Sequence, residues 1–229
     1  MKRSEINAYI AEARAFFHGQ GFRLPPFAGR SPEEWRRAAA VANLSEIMEL
    51  KLGWDVTDNG QGRFAARGLL LFTIRNGGGR HPKPYAEKIM MVRERQETPM
   101  HFHWNKMEDI INRGGGDLHV CVYNAGSDDG LAETPVSIAI DGERRVLPAG
   151  SWIVLTPGES VSLPPRLYHS FHAEGGPAMI GEVSMVNDDE TDNRFLEPLG
   201  RFPSIEEDVP PAFLLCTDYA TFLQKGSAQ

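Results

Sequence analysis

Two histidines one residue apart, His101 and His103, open the stretch HFHWNKMEDIINRGGG (residues 101–116), and Glu108 follows them closely. Because side chains two residues apart on a β-strand point to the same face, both imidazoles can be directed at one point. We expect Glu108 to return to that point across a turn, and the glycines at 114–116 to form a tight corner after it. Imidazole and carboxylate donors in this arrangement are typical of a site for a divalent metal ion. A bare histidine pair is more often structural, but the glutamate and the glycines favour the metal site.

A later segment, GESVSLPPRLYHSF (residues 158–171), offers a further histidine on a strand that follows a Pro-Pro turn. His169 and His172 are both candidates. Their spacing of three puts them on opposite faces of a strand, so only one of them should bind. His81 and His119 have no partner at a suitable spacing, and we expect them to be structural or exposed.

Glu182 lies in the apolar run MIGEVSMV, where a carboxylate is costly unless it is paired or functional. We expect burial to raise its pKa toward a value useful for abstracting a proton. The alternative is an inward carboxylate that a structural lysine neutralises. Lys88, in EKIMMV, alternates onto the apolar face of its strand. It is a candidate for holding a substrate hydroxyl, for neutralising Glu182 or for reaching solvent at a strand edge.

Three further residues are candidates for contacts with a substrate. Lys106 falls between the second and third candidate ligands, so the loop keeps it near the metal site, where it is a candidate proton donor to a developing alkoxide. An exposed loop lysine is the alternative. Asp188 and Asp189 are candidates for hydrogen bonds to distant substrate hydroxyls, and simple turn formation by the run NDD is the alternative.

Short strands must position these residues, because the chain from about residue 64 is rich in β-branched and aromatic residues separated by Gly, Pro, Asn and Asp. We predict strands at 68–75, 86–93, 117–123, 136–140, 144–147, 152–155, 160–163, 168–173 and 179–186. A two-residue turn at Asp141-Gly142 should join two of them. Many short strands without helical patterns between residues 117 and 187 favour an antiparallel barrel or sandwich.

The N-terminal part is different, because apolar residues there recur at helical spacing. We predict a helix over 5–18 with Ser4 as its N-cap. A second helix should start at Ser31-Pro32-Glu33-Glu34, which has a capping serine, a proline at the first helical position and a glutamate three residues after the cap.

The composition excludes some classes of partner. A net charge of −7 over 229 residues argues against nucleic acid and anionic membrane surfaces, and favours a small-molecule substrate. The two cysteines, Cys121 and Cys216, lie far apart in apolar surroundings, so we expect free thiols. No signal peptide or membrane span is predicted, and we expect a cytoplasmic protein.

The two histidine segments resemble the paired motifs of the cupin superfamily: a histidine pair, a glutamate and a glycine, then a glycine, a proline turn and a histidine. Arg166 stands where the second motif usually has glycine, and Ala173 where it often has asparagine. The wider context, PMHFHWNKMEDIINRGGG with YAEKIM before it and LPPRLYHSFHAE and GEVSMVNDD after it, resembles the D-lyxose isomerase family closely. The likeness extends along nearly the whole chain, including the N-terminal LPPFA and LKLGWDVT.

This resemblance implies a mainly β fold, a cupin-type double-stranded antiparallel β-barrel (jelly roll) with N-terminal α-helices, in a single cupin domain. Within it we expect a helical N-terminal extension over 1–60, the barrel over 64–187 and a C-terminal wrap over 188–229. It also implies a Mn²⁺-dependent isomerase, commonly a homodimer, that interconverts D-lyxose with D-xylulose and D-mannose with D-fructose. We expect that Co²⁺, Fe²⁺ or another divalent ion can serve in place of Mn²⁺. The implied metal ligands are His101, His103, Glu108 and His169.

Such a ligand set leaves a divalent ion with positive charge and with positions for a sugar carbonyl and its neighbouring hydroxyl. We favour base-catalysed enediol proton transfer, with Glu182, Lys106 and Lys88 as catalytic candidates and Lys88, Asp188 and Asp189 as substrate-binding candidates. A hydride shift is the alternative mechanism. Two alternative functions are an Fe(II)-dependent cupin dioxygenase and a non-catalytic sugar-binding cupin.

Overall fold

A computed structural model of the chain describes residues 1–224. The helices are α1 (Arg3–Gly19), α2 (Pro32–Val41), α3 (Ser45–Glu49) and α4 (Tyr219–Gln224), with a short 3-10 helix at Pro26–Gly29. The strands are β1 (Gly53–Thr57), β2 (Leu69–Arg75), β3 (Tyr85–Val92), β4 (Thr98–His103), β5 (Glu108–Ala125), β6 (Leu131–Ala132), β7 (Val136–Ile140), β8 (Glu143–Leu147), β9 (Ser151–Leu155), β10 (Ser160–Leu163), β11 (Leu167–Met185) and β12 (Asn193–Phe195).

The strands form one antiparallel sheet that closes into a barrel. Its main path has the order β1-β2-β3-β11-β5-β10-β7-β8, while β4 pairs with β11 and β9 pairs with β5. Apolar side chains from both ends of that path, such as Leu71 on β2 and Val136 on β7, meet in one buried cluster. This interior core requires the sheet to curl onto itself. The predicted antiparallel barrel with N-terminal helices is confirmed.

Most of the predicted strands are confirmed to within one residue at each end. The Asp141-Gly142 turn joins β7 to β8 as predicted, with φ values of 48° and 85°. Two strands are much longer than we predicted. The strand that we placed at 117–123 is the end of β5, and those at 168–173 and 179–186 are two halves of β11.

The glycines at 114–116 do not form the tight corner that we expected. They lie inside β5, close to a register shift against β11 between Glu174 and Ala178. Gly115 has a φ of 92°, and a Cβ at this position would lie 2.2 Å from the carbonyl oxygen of Pro177. Glycine is therefore required by a bulge that bends two continuous strands where their backbones approach closely.

Helix α1 packs against β1, β2 and β3 through a stripe of fully buried residues, Ile6, Ile10, Ala13 and Phe17. Its predicted N-cap is wrong, because the helix begins at Arg3 with Lys2 as N-cap. The hydroxyl of Ser4 instead donates to Asp208 Oδ2 at 2.6 Å, a long-range contact that local spacing does not reveal.

The predicted start of α2 is confirmed. Ser31 is the N-cap, its Oγ accepts from the backbone N–H of Glu34 at 3.3 Å, and Glu34 accepts from the backbone N–H of Ser31 at 2.7 Å. Trp35, on the buried side of α2, packs against Tyr219 of α4, with ring centroids 5.0 Å apart. The C-terminal segment therefore closes over the N-terminal helices.

One strand lies where we predicted only helix. β1 falls within the stretch 1–60 and pairs with β2 along its whole length. All five of its residues are buried, so the alternation that marks a half-exposed strand is missing from its sequence. Cys121 and Cys216 are buried free thiols, as expected. Among the helices of residues 1–224, none is both long and apolar enough to cross a membrane.

Candidate active site

Three imidazoles meet in one cavity of the barrel. His101 and His103 lie on β4, and His169 on β11 is the cross-strand partner of His101. The centroid of the His101 ring lies 4.2 Å from that of His169 and 5.2 Å from that of His103. One ring nitrogen from each histidine lies within 4.8 Å of the others. The structure thus brings together the three histidines that we expected to bind a metal.

Backbone carbonyls orient two of these rings. Nδ1 of His101 donates to the carbonyl oxygen of Pro99 at 2.7 Å, and Nδ1 of His169 donates to that of Leu167 at 3.0 Å. With the proton on Nδ1, each Nε2 has a free lone pair directed into the cavity. Burial lowers the pKa of His101 well below its ordinary value, and the neighbouring His169 adds to that effect. Burial likewise lowers the pKa of His103.

The fourth donor is the carboxylate of Glu108, at the first residue of β5. Its Oε1 lies 3.3 Å from Nε2 of His103 and 3.1 Å from Nε2 of His169. Burial alone would raise the pKa of this carboxyl, but Lys106 and His103 outweigh burial and hold it well below its ordinary value. Neutral imidazoles and an ionised carboxylate are the forms that bind divalent metals, so these residues fit such an ion.

Lys106 is almost fully buried between two carboxylates. Its Nζ lies 2.7 Å from Glu108 Oε2 and donates to Glu182 Oε1 at 2.9 Å. Burial alone would lower the pKa of Lys106, but the two carboxylates outweigh it and raise the pKa above its ordinary value. Lys106 is therefore a cation that connects the candidate metal ligands to the candidate base, and the alternative of an exposed loop lysine is wrong.

Glu182 reaches the same cavity from β11. Its Oε1 accepts from Ser184 Oγ at 3.1 Å and lies 3.3 Å from Nζ of Lys88, its cross-strand partner on β3. We expected burial to raise the pKa of Glu182, and this is wrong. Burial acts in that direction, but Lys106 and Lys88 outweigh it, so the pKa is lowered. The carboxylate is ionised at neutral pH, which is the form that accepts a proton, and pairing with lysine is compatible with that role.

The sequence did not reveal Asp192, which holds the loop that carries Lys106. Its carboxylate accepts from the backbone N–H of Asn105 at 2.8 Å and from that of Lys106 at 3.1 Å. It also accepts from the side-chain amide of Asn105 at 3.0 Å. Asp192 is 6% exposed. Its position, well past the end of β11, gave no local signal for this contact.

The two candidate aspartates have different surroundings. Asp188 lies outside the cavity, where its carboxylate accepts from Glu190 N at 2.9 Å and from Thr191 N at 3.2 Å, the contacts of the turn that we considered as the alternative. Asp189 lines the cavity, and its Oδ2 lies 3.3 Å from Nη2 of Arg201. Burial alone would raise the pKa of Asp189, but Lys88 and Arg201 outweigh it and lower the pKa.

Arg201 is a further cavity residue that the sequence did not reveal. Asp55 Oδ2 accepts from its Nη2 at 2.5 Å, which fixes one side of the guanidinium. Its Nη1 is buried and has no hydrogen-bond partner among the described residues. A buried donor of this kind is costly unless a ligand or water satisfies it.

The cavity has a volume of ≈ 60 Å³. The residues that line it come from the barrel strands and from the segment after β11, and include Thr57, Leu71, Lys88, Met90, Thr98, His101, His103, Lys106, Glu108, His169, Phe171, Glu182, Asp189, Asn193, Phe195 and Arg201. Phe195 on β12 lies against His101, with ring centroids 5.6 Å apart. The C-terminal segment therefore supplies part of the cavity wall.

The remaining histidines lie elsewhere. His172, the competitor of His169, stacks on His119 with ring centroids 5.1 Å apart and lies outside the cavity, half-buried. His81 pairs with Glu49, with Nε2 3.0 Å from Oε2.

Comparison with known proteins gives consistent matches along the chain. A model of the D-lyxose isomerase family matches residues 1–219. The chain is 52% identical over 227 residues to the D-lyxose/D-mannose isomerase of Escherichia coli O157:H7, covering 97% of this chain and 100% of that protein. It is 53% identical over 228 residues to the D-lyxose/D-mannose isomerase of Serratia proteamaculans, again covering 97% of this chain and 100% of the relative.

Among solved structures, the L-ribose isomerase of Cellulomonas parahominis with L-psicose matches with a TM-score of 0.57 at 18% identity. The match covers 90% of this chain and 98% of that chain. At this identity the likeness concerns the fold alone, and it confirms the predicted cupin-type barrel.

Proposed function

The chain belongs to the D-lyxose isomerase family and is an aldose-ketose isomerase, and on this basis we propose that it interconverts D-lyxose with D-xylulose and D-mannose with D-fructose. We further propose that the reaction depends on a divalent metal ion, Mn²⁺, for which Co²⁺ or Fe²⁺ can substitute. The observation that carries the proposal is one cavity in which three imidazoles and Glu108 converge beside an ionised Glu182.

His101, His103, Glu108 and His169 would hold the ion. Three neutral donors and one carboxylate leave net positive charge on a divalent cation. When bound, the ion draws electron density from the sugar carbonyl and so acidifies the hydrogen on the neighbouring carbon.

Glu182 acts as the base in this proposal. It takes the proton from the carbon beside the carbonyl and returns it to the former carbonyl carbon, while the hydroxyl proton passes from the second oxygen to the first, so that the aldose becomes the ketose through an enediol. Lys106 keeps Glu182 ionised, and its positive charge at the cavity wall stabilises the negative charge that develops on the sugar oxygen. Because Glu108 and Glu182 hold its proton tightly, Lys106 acts here through its charge more than as an acid. Lys88 neutralises the same carboxylate from the opposite strand.

Asp189 and Arg201 bind the hydroxyls at the far end of the sugar. Asp189 offers carboxylate oxygens to the cavity, and Nη1 of Arg201 offers a donor without a protein partner. A donor and an acceptor side by side discriminate between epimers, because a buried polar group that the wrong epimer leaves unpaired costs binding energy. Asp188 serves the fold of this loop and does not contact the sugar.

The test is activity on the four sugars with the metal content measured in parallel. Exhaustive chelation should abolish isomerisation, and Mn²⁺ should restore it more fully than Mg²⁺. His101→Ala and His169→Ala should lose both bound metal and turnover, while His18→Ala, an exposed histidine in the last turn of α1, should keep both. Undiminished activity after complete removal of metal would contradict the metal dependence.

We also propose that the chain is one cupin domain and that it acts in the cytoplasm as a homodimer. Sedimentation equilibrium of the purified protein measures the assembly directly. A monomer at all concentrations would refute the homodimer without affecting the proposed chemistry.

A further inference from the structure

A second cluster of metal-binding side chains lies on the outer face of the two long strands. His119 on β5 and His172 on β11 are direct cross-strand partners, and Glu174 follows on the same face of β11. Nε2 of His172 lies 3.3 Å from Glu174 Oε1, and Nε2 of His119 lies 3.7 Å from Glu174 Oε2. One donor atom from each residue lies within 4.8 Å of the others. We name these three residues the outer triad.

The spacing of the outer triad is close to what a tetrahedral ion requires. Zinc-type ions bind nitrogen and oxygen at about 2.0–2.2 Å, so two ligand atoms of a tetrahedral site lie roughly 3.3–3.5 Å apart. Both imidazoles already turn Nε2 toward the same carboxylate at comparable separations. Binding an ion therefore requires only small adjustments of half-exposed side chains.

The charges around the outer triad also favour a cation. Asp117 on β5 is the cross-strand partner of Glu174, so two carboxylates stand opposite each other on one sheet face. Like charges in that position are destabilising. Within the described part of the chain, Glu174 forms ion pairs only with the two histidines, and Asp117 forms none with a lysine or arginine. A bound cation would offset this local negative charge.

We propose that the outer triad is a second metal site for a borderline transition-metal ion, Zn²⁺ by its tetrahedral spacing, with water at the remaining position; Ni²⁺ and Cu²⁺, which imidazole also binds, serve as probes. Imidazole ligands prefer these ions to Mg²⁺ and Ca²⁺, which favour oxygen ligands. The site is separate from the cavity because strand pleating directs His172 to the opposite side of β11 from His169.

Occupation of the outer triad links β5 to β11 on the outside of the barrel wall. The same two strands carry Glu108, His169 and Glu182 on the inside. The ion would therefore hold the two strands together on the side of the barrel wall opposite the cavity. Its presence would stabilise the folded chain by mass action, since the unfolded chain does not hold the three donors together.

Trp152 on β9 provides a local reporter. Its ring meets that of His172 edge to face, with centroids 4.9 Å apart, and it is 52% exposed. Ni²⁺ and Cu²⁺ quench the fluorescence of a tryptophan in contact with their ligands. In the Mn²⁺-loaded protein, titration with Ni²⁺ should quench Trp152 with saturation. Metal analysis should then find two divalent ions per chain in total, including when Ni²⁺ has also displaced Mn²⁺ from the cavity.

His119→Ala and His172→Ala should each weaken Ni²⁺ binding by at least about tenfold, because even residues that only orient metal ligands contribute that much. Both variants should keep their Mn²⁺ and their isomerase activity, which shows that they are folded. Trp152→Phe should lose the fluorescence quenching, but calorimetry should show that this variant still binds Ni²⁺. His18→Ala is the matched control and should behave as the unaltered protein.

Two results would overturn the proposal. One is Ni²⁺ affinity that is unchanged in His119→Ala and in His172→Ala. The other is Ni²⁺ uptake that occurs only with an equal loss of Mn²⁺, which would place all binding in the cavity. Neither result bears on the isomerase activity, so this inference and the proposed function fail separately.

Discussion

Replacing Glu182 with glutamine removes the proposed base while preserving the shape of its side chain. A positioned general base contributes about 10²–10⁴-fold to a proton transfer. We therefore expect kcat for aldose-ketose isomerisation to fall by about 10²–10⁴-fold. The metal content should not change, because His101, His103, Glu108 and His169 are untouched by the substitution.

The structure indicates that this variant still folds. Removing one partner of a buried ion pair costs about 3–5 kcal/mol when the other charge is left alone. Here Lys106 keeps Glu108 Oε2 at 2.7 Å, and Lys88 keeps its bond to Asn187 Oδ1 at 2.6 Å. Because neither lysine is left without an acceptor, we expect a loss of less than about 3 kcal/mol in the free energy of unfolding.

The assay combines turnover, metal analysis and incorporation of solvent deuterium into the product sugar. Glu182→Gln should lose turnover and deuterium incorporation together. Glu87→Gln is the matched control, since Glu87 lies on β3 beside Lys88 and pairs with Arg75 at 3.0 Å outside the cavity. A fully metallated Glu182→Gln variant with kcat within tenfold of the unaltered protein would refute the assignment of the base. If the unaltered enzyme is active without deuterium incorporation, a hydride shift or a proton fully shielded from solvent becomes the better account.

The pKa of Glu182 sets a further expectation for the same enzyme. Lys106 and Lys88 hold that pKa below the ordinary value of 4.5, although burial opposes them. A carboxyl with a lowered pKa stays ionised above its ordinary pKa and is protonated only as the pH falls through the lowered value. The pH profile of kcat should therefore show no loss of activity from protonation of Glu182 above pH 4.5. A loss of activity in that range that is seen in the unaltered protein but not in Glu182→Gln would contradict the lowered pKa of Glu182.

Three other substitutions test the supporting structure. Asp192→Ala should free the loop that carries Lys106 and lower kcat by about 10–100-fold with metal content unchanged, because small misplacements of reacting groups are costly. Arg3→Ala should lower the free energy of unfolding in urea by about 3–5 kcal/mol, since Arg3 is fully buried in an ion pair with Asp218. The control is Arg37→Ala, which removes an exposed ion pair and should lower the free energy of unfolding by about 0.5 kcal/mol or less. Arg166→Ala should be less stable to urea than Arg166→Gly by about 0.5–1 kcal/mol, because Arg166 has a φ of 61° and only glycine adopts this conformation without strain.

Features encoded by neighbouring residues could be predicted from the sequence. The capping box at Ser31 and Glu34, the Asp141-Gly142 turn and the histidine pair on β4 each depend on spacings of one to three residues. The resemblance to a known family added His169, which local spacing could not separate from His172.

Features that depend on distant contacts could not be predicted. Asp192 reaches the Lys106 loop from more than eighty positions away, and Arg201 meets Asp55 over a still longer stretch of chain. The pKa of Glu182 was predicted in the wrong direction because burial is readable from an apolar strand, whereas neutralisation by a lysine was only the alternative. The sequence did not show that Lys88 and Lys106 together outweigh burial. The glycines at 114–116 were predicted to form a corner because both turns and β-bulges favour glycine, and the sequence does not distinguish the two.

The placement of the site residues suggests where substrate preference is determined. His101, His103, Glu108, His169 and Glu182 all lie on β4, β5 or β11, whose pairing fixes their separations. Asp189 and Arg201 lie outside regular strands, in the segment after β11. Strands hold reacting groups more rigidly than loops, and loops accept substitution more readily. Changes at Asp189 or Arg201 should therefore alter the relative kcat/KM for the two proposed substrates, D-lyxose and D-mannose, while the proposed metal binding is retained. Changes on the strands should instead remove metal binding or turnover of both sugars together.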